Sequence, residues 1–185
     1  MHLRHDAGFA AAGIVTHVRE LATRMGDRQV ATVGRLELHP DLVNVVAGSA
    51  VLTVDLRNTA EPLLQQAEAD LAGYVADLAA AEGVEIPSRS LARFEPVVFD
   101  ERVVDTVAAT AERLGRTVSR MPSGAGHDAQ MLARVCPTGM VFVPSRDGIS
   151  HNPAEHTDAD DLVAGADQAE RTRRRNTEVI HGPAT

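Results

Sequence analysis

The sequence predicts an α/β chain in two parts: an α+β two-layer unit over residues 1–95, then an α/β segment over residues 96–175, with residues 176–185 as a disordered tail. Three observations predict this. Apolar residues recur at helical spacing in some stretches and at strand spacing in others. The first half reads helix, strand, strand, helix, strand. Near residues 94–98 the pattern changes to an alternation of helices and short apolar runs, as in α/β layers.

Residues 8–25 read as a helix with Ile14, Val18, Leu21, Ala22 and Met25 on one face and Gly26 as its stop. Residues 29–38 read as a strand whose phase slips at Gly34, the mark of a bulge, and His39-Pro40-Asp41 ends it. Residues 50–57 form a second strand, with Leu52, Val54 and Leu56 on one side and Thr53, Asp55 and Arg57 on the other. A long helix over 61–82 starts with Pro62 in its first turn, carries Leu63, Ala67, Leu71, Tyr74, Val75 and Leu78 on its stripe, and stops at Gly83. Residues 89–99 carry a third possible strand. This order is close to a βαββαβ ferredoxin-like sandwich lacking its first strand, which leaves an edge without a partner.

In the second half, residues 101–114 read as a helix capped by Asp100, with Val103, Val104, Val107, Ala111 and Leu114 on its buried side. A short strand at 117–121 leads into the turn Ser123-Gly124-Ala125-Gly126 and a short helix near 127–134. Met140-Val141-Phe142-Val143 is apolar throughout, as expected of a buried parallel strand. Thr157-Asp158-Ala159-Asp160 resembles a capping box with Asp in the usual Glu position, opening a helix to about residue 174.

With 185 residues and 44% apolar content, the chain is long enough to bury a core. A formal charge of -8 argues against nucleic acid as a partner. No run approaches the about 18 apolar residues of a membrane span, and the N-terminus shows no secretory signal, so a cytoplasmic location is expected. All basic residues are arginine. The single cysteine, Cys136, reads as a buried structural thiol.

Chemistry concentrates at few positions. His151 follows an apolar run and a Gly-containing turn, where sites cluster at the carboxyl ends of parallel strands; neutral imidazole is a common ligand of zinc or manganese. The alternative is a loop histidine with a structural hydrogen bond. Glu155, four residues on, could orient the ring or the following helix. His127 lies beside Asp128 at a helix start, and the Ser123–Gly126 turn could receive an anion or carbonyl oxygen, or be a loop capped by Asp128. Arg57 could hold a carboxylate with two parallel bonds or pair with Asp55 or Glu61 on the surface. Asn44, thirteen residues earlier, offers both a donor and an acceptor.

An ordered set of segments carries a resemblance: Met1–Ala7 (MHLRHDA), VATVG at 30–34, NVVAG at 44–48, Asp55-Leu56-Arg57, SGAGHDAQ at 123–130, PTGMVFVPS at 137–145 and GISHNPAEHT at 148–157. Together they resemble the amidase (hydantoinase/carbamoylase) branch of the M20 metallohydrolases, which includes N-carbamoyl-L-amino-acid hydrolase, allantoate amidohydrolase and β-ureidopropionase. The resemblance implies that residues 1–95 are a dimerisation, or lid, domain and that the rest closes a metal-dependent hydrolase domain. It implies His151 as a metal ligand, with Asn44, Arg57, Gly126 and His127 as substrate-binding residues. It further implies two zinc or manganese ions in the complete enzyme, a small ureido or carbamoyl amino acid as substrate, a homodimer, and no role for nucleic acid or membrane.

The chain also departs from that pattern. The His-Ala-Gly-Thr-Thr-Pro segment usual just before the position of Met1 is absent, as are the other metal ligands and the carboxylate base; no catalytic residue is therefore expected here. Ala47 stands where proline is usual, and the polar tail replaces an apolar final helix. The implied function is a C-terminal portion of a hydrolase of linear amide or carbamoyl C–N bonds, inactive alone. The alternative is a dimerisation and substrate-binding module without the metal site.

Overall fold

The computed structural model describes residues 3–26 and 28–181. Met1 and His2 of the first matching segment, and residues 182–185 of the expected tail, lie outside the described residues. The chain forms two compact units, Met1–Pro96 and Val97–Thr185.

The first unit contains α1 (Ala7–Met25), β1 (Val30–His39), β2 (Ser49–Arg57) and α2 (Glu61–Glu82). Asp6 caps α1 by accepting from the N–H groups of Gly8 and Phe9, which is worth about 1 kcal/mol. Ala10, Ala11, Ile14, Val18 and Leu21 are buried along one face of α1, and Leu64 and Ala67 are the buried residues of α2. The α2 stripe was expected to begin at Leu63. That residue is 39% exposed and Leu64 is buried instead, so the stripe begins one residue, about 100°, further round the helix.

β1 and β2 pair antiparallel, and the register shifts between Val33 and Arg35, at the expected bulge. The shift keeps apolar residues opposite one another on one face: Ala31 with Leu56, Val33 with Val54, Leu36 with Leu52 and Leu38 with Ala50. The other face is mostly polar, with Thr32 opposite Asp55 and Arg35 opposite Thr53. The connecting loop opens with a cis His39-Pro40 bond and closes through Gly48 N–H to the His39 carbonyl at 2.9 Å. Ala7 N–H donates to the Ala47 carbonyl, tying α1 to that loop.

Residues 89–99 form no strand. Pro96 removes a backbone donor, and Arg93 is drawn to α2, where it pairs with Glu61 at 2.5 Å and Glu68 at 3.0 Å. Polar contacts also clamp α1 to α2. The His17 ring stacks on Tyr74 with centroids 3.9 Å apart, and its Nε2 lies 2.7 Å from Asp70 Oδ1. Arg24 donates to the other carboxylate oxygen at 2.8 Å. Gly83 ends α2 with φ 61; a Cβ there would come 2.8 Å from the His5 ring.

The second unit contains α3 (Glu101–Arg113), α4 (Asp128–Leu132), a 3-10 turn at Arg146–Gly148 and α5 (Ala159–His181). Asp100 caps α3 by accepting from Val103 N–H. Between α3 and α5 the seam is polar. Thr110, Gln168 and Thr172 are buried, Gln168 Nε2 donates to the Val107 carbonyl at 2.7 Å, and Arg116 reaches the Ala164 carbonyl. The expected strands at 117–121 and 140–143 do not form among the described residues. A strand exists through its ladder, and no described segment pairs with either run. Phe142 is consequently 47% exposed, and Val98, in the expected strand at 89–99, is 95% exposed.

α5 runs to His181, through residues 176–181 where a disordered tail was expected. Ion pairs at helical spacing support the helix over residues 167–174. Arg171 pairs with Asp167, and Arg173 and Arg174 with Glu170, at helical spacings. These two arginines hold the Glu170 carboxyl down at about 2.

Candidate functional site

Asn44 lies in an exposed turn of the β1–β2 loop, beside the fully exposed Val43. Arg57 is the last residue of β2, so it stands at the far end of the strand from that loop. Nine residues of strand span about 27 Å at ~3.4 Å per step, far more than the length of an amino-acid derivative. Arg57 is half-exposed on the polar face, and its Nε donates to Asp55 Oδ2 at 2.7 Å. This pair is one of the two partners its sequence position suggested, and it keeps the guanidinium firmly protonated.

Gly126 ends the Gly-rich turn, and a Cβ there would meet nothing within 4 Å. His127, rather than Asp128, is the N-cap of α4: its Nδ1 accepts from Ala129 N–H at 3.0 Å. With Nδ1 as acceptor, the neutral ring carries its proton on Nε2. His127 therefore offers an outward N–H donor, suited to an anionic or carbonyl oxygen, and has no free lone pair for a metal.

His151 lies in the turn after the 3-10 segment with φ 55. It is exposed, and its ring makes no hydrogen bond to a described residue. Glu155 accepts the backbone N–H of His151 at 2.8 Å, so it holds the main chain rather than the ring. Asp158, in the expected capping box, also closes the loop base: its carboxylate takes Arg146 at 3.1 Å and His156 at 3.0 Å. The signal was weak, since nothing in an Arg/His/Asp set twelve residues wide announces loop closure. Cys136, expected to be buried, is exposed. It sits in the turn after α4, with its sulfur 3.5 Å from the Leu132 carbonyl.

His151 fits the chemistry of a metal ligand, as an exposed ring with neither nitrogen bonded to a described residue. No group of three His, Cys, Asp or Glu side chains capable of holding an ion occurs among the described residues. A groove of about 550 Å³ between α3 and α5, lined by Thr110, Arg113, Glu170 and Arg174 among others, contains none of the candidate residues. No helix among the described residues is long and apolar enough to cross a membrane.

Known proteins place these features in context. Residues 5–174 match the Peptidase family M20/M25/M40. The chain is 37% identical to an uncharacterized hydrolase of Haemophilus influenzae, over 97% of this chain and 44% of the relative. It is 38% identical to the allantoate amidohydrolase of Escherichia coli (89% and 40%) and 40% identical to the N-carbamoyl-L-amino-acid amidohydrolase of Paenarthrobacter aurescens (90% and 40%). The crystal structure of a hydantoinase/carbamoylase family amidase from Burkholderia vietnamiensis superposes with a TM-score of 0.88 at 37% identity, covering 91% of this chain and 41% of that one. A dinuclear metal-binding M20 peptidase of Bacillus subtilis shares the fold at a TM-score of 0.63 and 18% identity. The chain thus spans about two-fifths of the length of the relatives it matches. On this evidence the chain belongs to the M20/M25/M40 family and is similar to its hydantoinase/carbamoylase amidases.

Proposed function

We propose that this chain is the C-terminal portion of a metal-dependent hydrolase acting on linear C–N bonds of ureido or carbamoyl amino acids, allantoate included, and that it is inactive alone. One observation carries the reading. The chain presents an unengaged histidine ring, a guanidinium and an outward-facing imidazole N–H, each suited to such a substrate or its metal, yet no group of ligands that could complete a centre occurs among the described residues. Residues 1–95 act as the lid, residues 96–175 as the closing segment of the hydrolase domain.

Each residue has a distinct task. Arg57 takes the substrate's carboxylate as a two-pronged donor and fixes where the reacting carbon sits. Asn44 bonds the amide or ureido group. Gly126 leaves room for close approach, and His127 Nε2–H donates to an oxygen of the substrate. His151 holds a divalent ion, zinc or manganese, which when bound supplies an activated water and a Lewis acid.

The strand between Asn44 and Arg57 gives this reading an architectural consequence. The two side chains serve one small molecule only if they come from different copies, so the working form is a homodimer through the lid. The exposed apolar side chains of Val98, Phe142 and Val163 fit a sheet and core completed by further polypeptide.

The test is ammonia release from N-carbamoyl-L-amino acids and from allantoate. It uses the purified chain alone and mixed with the polypeptide encoded upstream of Met1, with zinc or manganese added. The expected result is no turnover alone and turnover in the mixture, abolished by His151→Ala. Inactivity of the mixture on every such substrate would overturn the proposal, and metal-free binding of an N-carbamoyl amino acid by that inactive form would favour a binding module.

A further inference from the structure

The turn that carries His151 is built in an unusual way. His151 has φ 55, a left-handed backbone that a residue with a Cβ adopts at a cost and that Gly or Asn accepts more readily. Something local must hold it there. Glu155 Oε2 accepts the His151 N–H at 2.8 Å, Asn152 Oδ1 accepts from Ala154 N–H at 2.9 Å, and Glu155 N–H returns to the Asn152 carbonyl at 2.9 Å. Pro153 stiffens the span between them.

The base of the loop is closed as well. Arg146 N–H donates to the His156 carbonyl at 2.8 Å, and the Ser145 hydroxyl donates to the Ile149 carbonyl. The Arg146 guanidinium and the His156 ring converge on Asp158 Oδ1. The side chains of Ser145, Arg146, Asn152, Glu155, His156 and Asp158 are all engaged in holding the loop, while the His151 ring bonds nothing among the described residues. A loop whose sole purpose was to turn the chain would be better served by Gly at 151.

We propose that Glu155 is a positioning residue: its carboxylate holds the His151 main chain in the left-handed conformation and so fixes the direction in which the ring is presented, with the Arg146–His156–Asp158 set as the closure that keeps the loop's ends together. This rests on the reading of His151 as a site residue. It also sets Glu155 apart from a ligand: one carboxylate oxygen is committed to a backbone N–H, and the role needs an acceptor atom, not a negative charge.

The substitutions that separate these roles are Glu155→Ala, which removes the acceptor, and Glu155→Gln, which keeps an acceptor oxygen without the charge. In the full 185-residue chain, amide hydrogen exchange at His151 and its amide–Hα coupling constant report the bond and the φ angle without any metal. The mixture with the upstream polypeptide reports hydrolysis. Glu155→Ala should speed exchange at His151 about tenfold or more, shift the coupling constant, and lower kcat by about 10- to 100-fold with KM little changed; Glu155→Gln should stay near the parent in all three. Unchanged exchange in Glu155→Ala would overturn the proposal. Loss of activity in Glu155→Gln equal to that in Glu155→Ala would also overturn it and make the carboxylate a direct participant. If exchange responds as expected but the parent mixture never hydrolyses a ureido acid, the failure lies in the functional reading, and the positioning role falls with it.

Discussion

Replacing Asp70 by Asn isolates the electrostatic part of the clamp between α1 and α2. Asp70 accepts from Arg24 at 2.8 Å and meets His17 at 2.7 Å. Burial alone would push its carboxyl up, but the bonds from Arg24 and His17 outweigh this and hold it below the usual carboxylate value. The Asp70 side chain is 35% exposed and Arg24 51% exposed, so solvent screens the pair and each contact contributes well under a buried bond. Asn keeps one acceptor oxygen, and the net loss at pH 7 is about 1 kcal/mol. For a unit of this size that lowers Tm by about 4–8 °C. The assay is specific because Tyr74, stacked on His17, is the one tyrosine in a chain without tryptophan; its near-UV signal follows this unit. A carboxyl whose folded pKa is depressed stabilises fully above its unfolded value and loses that contribution as pH falls through the folded value. The difference between the parent and Asp70→Asn should therefore be complete at pH 7 and shrink below about pH 4. Equal Tm values at pH 7, or a gap that persists undiminished at pH 3, would refute the reasoning.

Other expectations concern packing and binding. Gly165→Ala places a methyl group against Val143 and should destabilise the second unit by about 1–3 kcal/mol in urea unfolding, with part of the loss recovered when Val143→Ala is added. His127→Asn keeps a good capping residue for α4 but loses the Nε2–H donor. Thermal stability should hold while KM of the reconstituted hydrolase rises about tenfold, a hydrogen bond to a charged group being at stake. Arg57→Lys keeps the charge and loses the two-pronged geometry, and should raise KM about tenfold or more with kcat less affected.

Local signals were legible in the sequence, and long-range ones were not. The limits of α1, α2 and α3 follow from Gly26, Gly83 and Asp100 together with the apolar period, all of which act within a turn or two. The bulge at Gly34 is local too. Strands expected at 89–99, 117–121 and 140–143 are another matter, because a strand needs a partner, and sequence patterns describe side chains rather than ladders. In α5 the ion pairs of Glu170 with Arg173 and Arg174 supply local helix support that an apolar period does not count. At the site, motif spacing picked out His151 and His127 as residue types. It gave no hint that His127 would cap α4 through Nδ1, nor that Glu155 would bind the His151 backbone, because both depend on loop conformation. The separation of Asn44 from Arg57 follows from β2, which lies between them.

That separation makes the shared site directly measurable. Asn44→Ala and Arg57→Ala chains, each inactive when reconstituted alone, are mixed in equal amounts and allowed to exchange subunits. If Asn44 of one copy and Arg57 of another serve the same substrate, half of the dimers are mixed and each of these has one intact site, so activity should return to about a quarter of the parent value. If no activity returns although subunit exchange is verified by mass, each site draws both residues from one copy, and the account of a site shared between chains is contradicted.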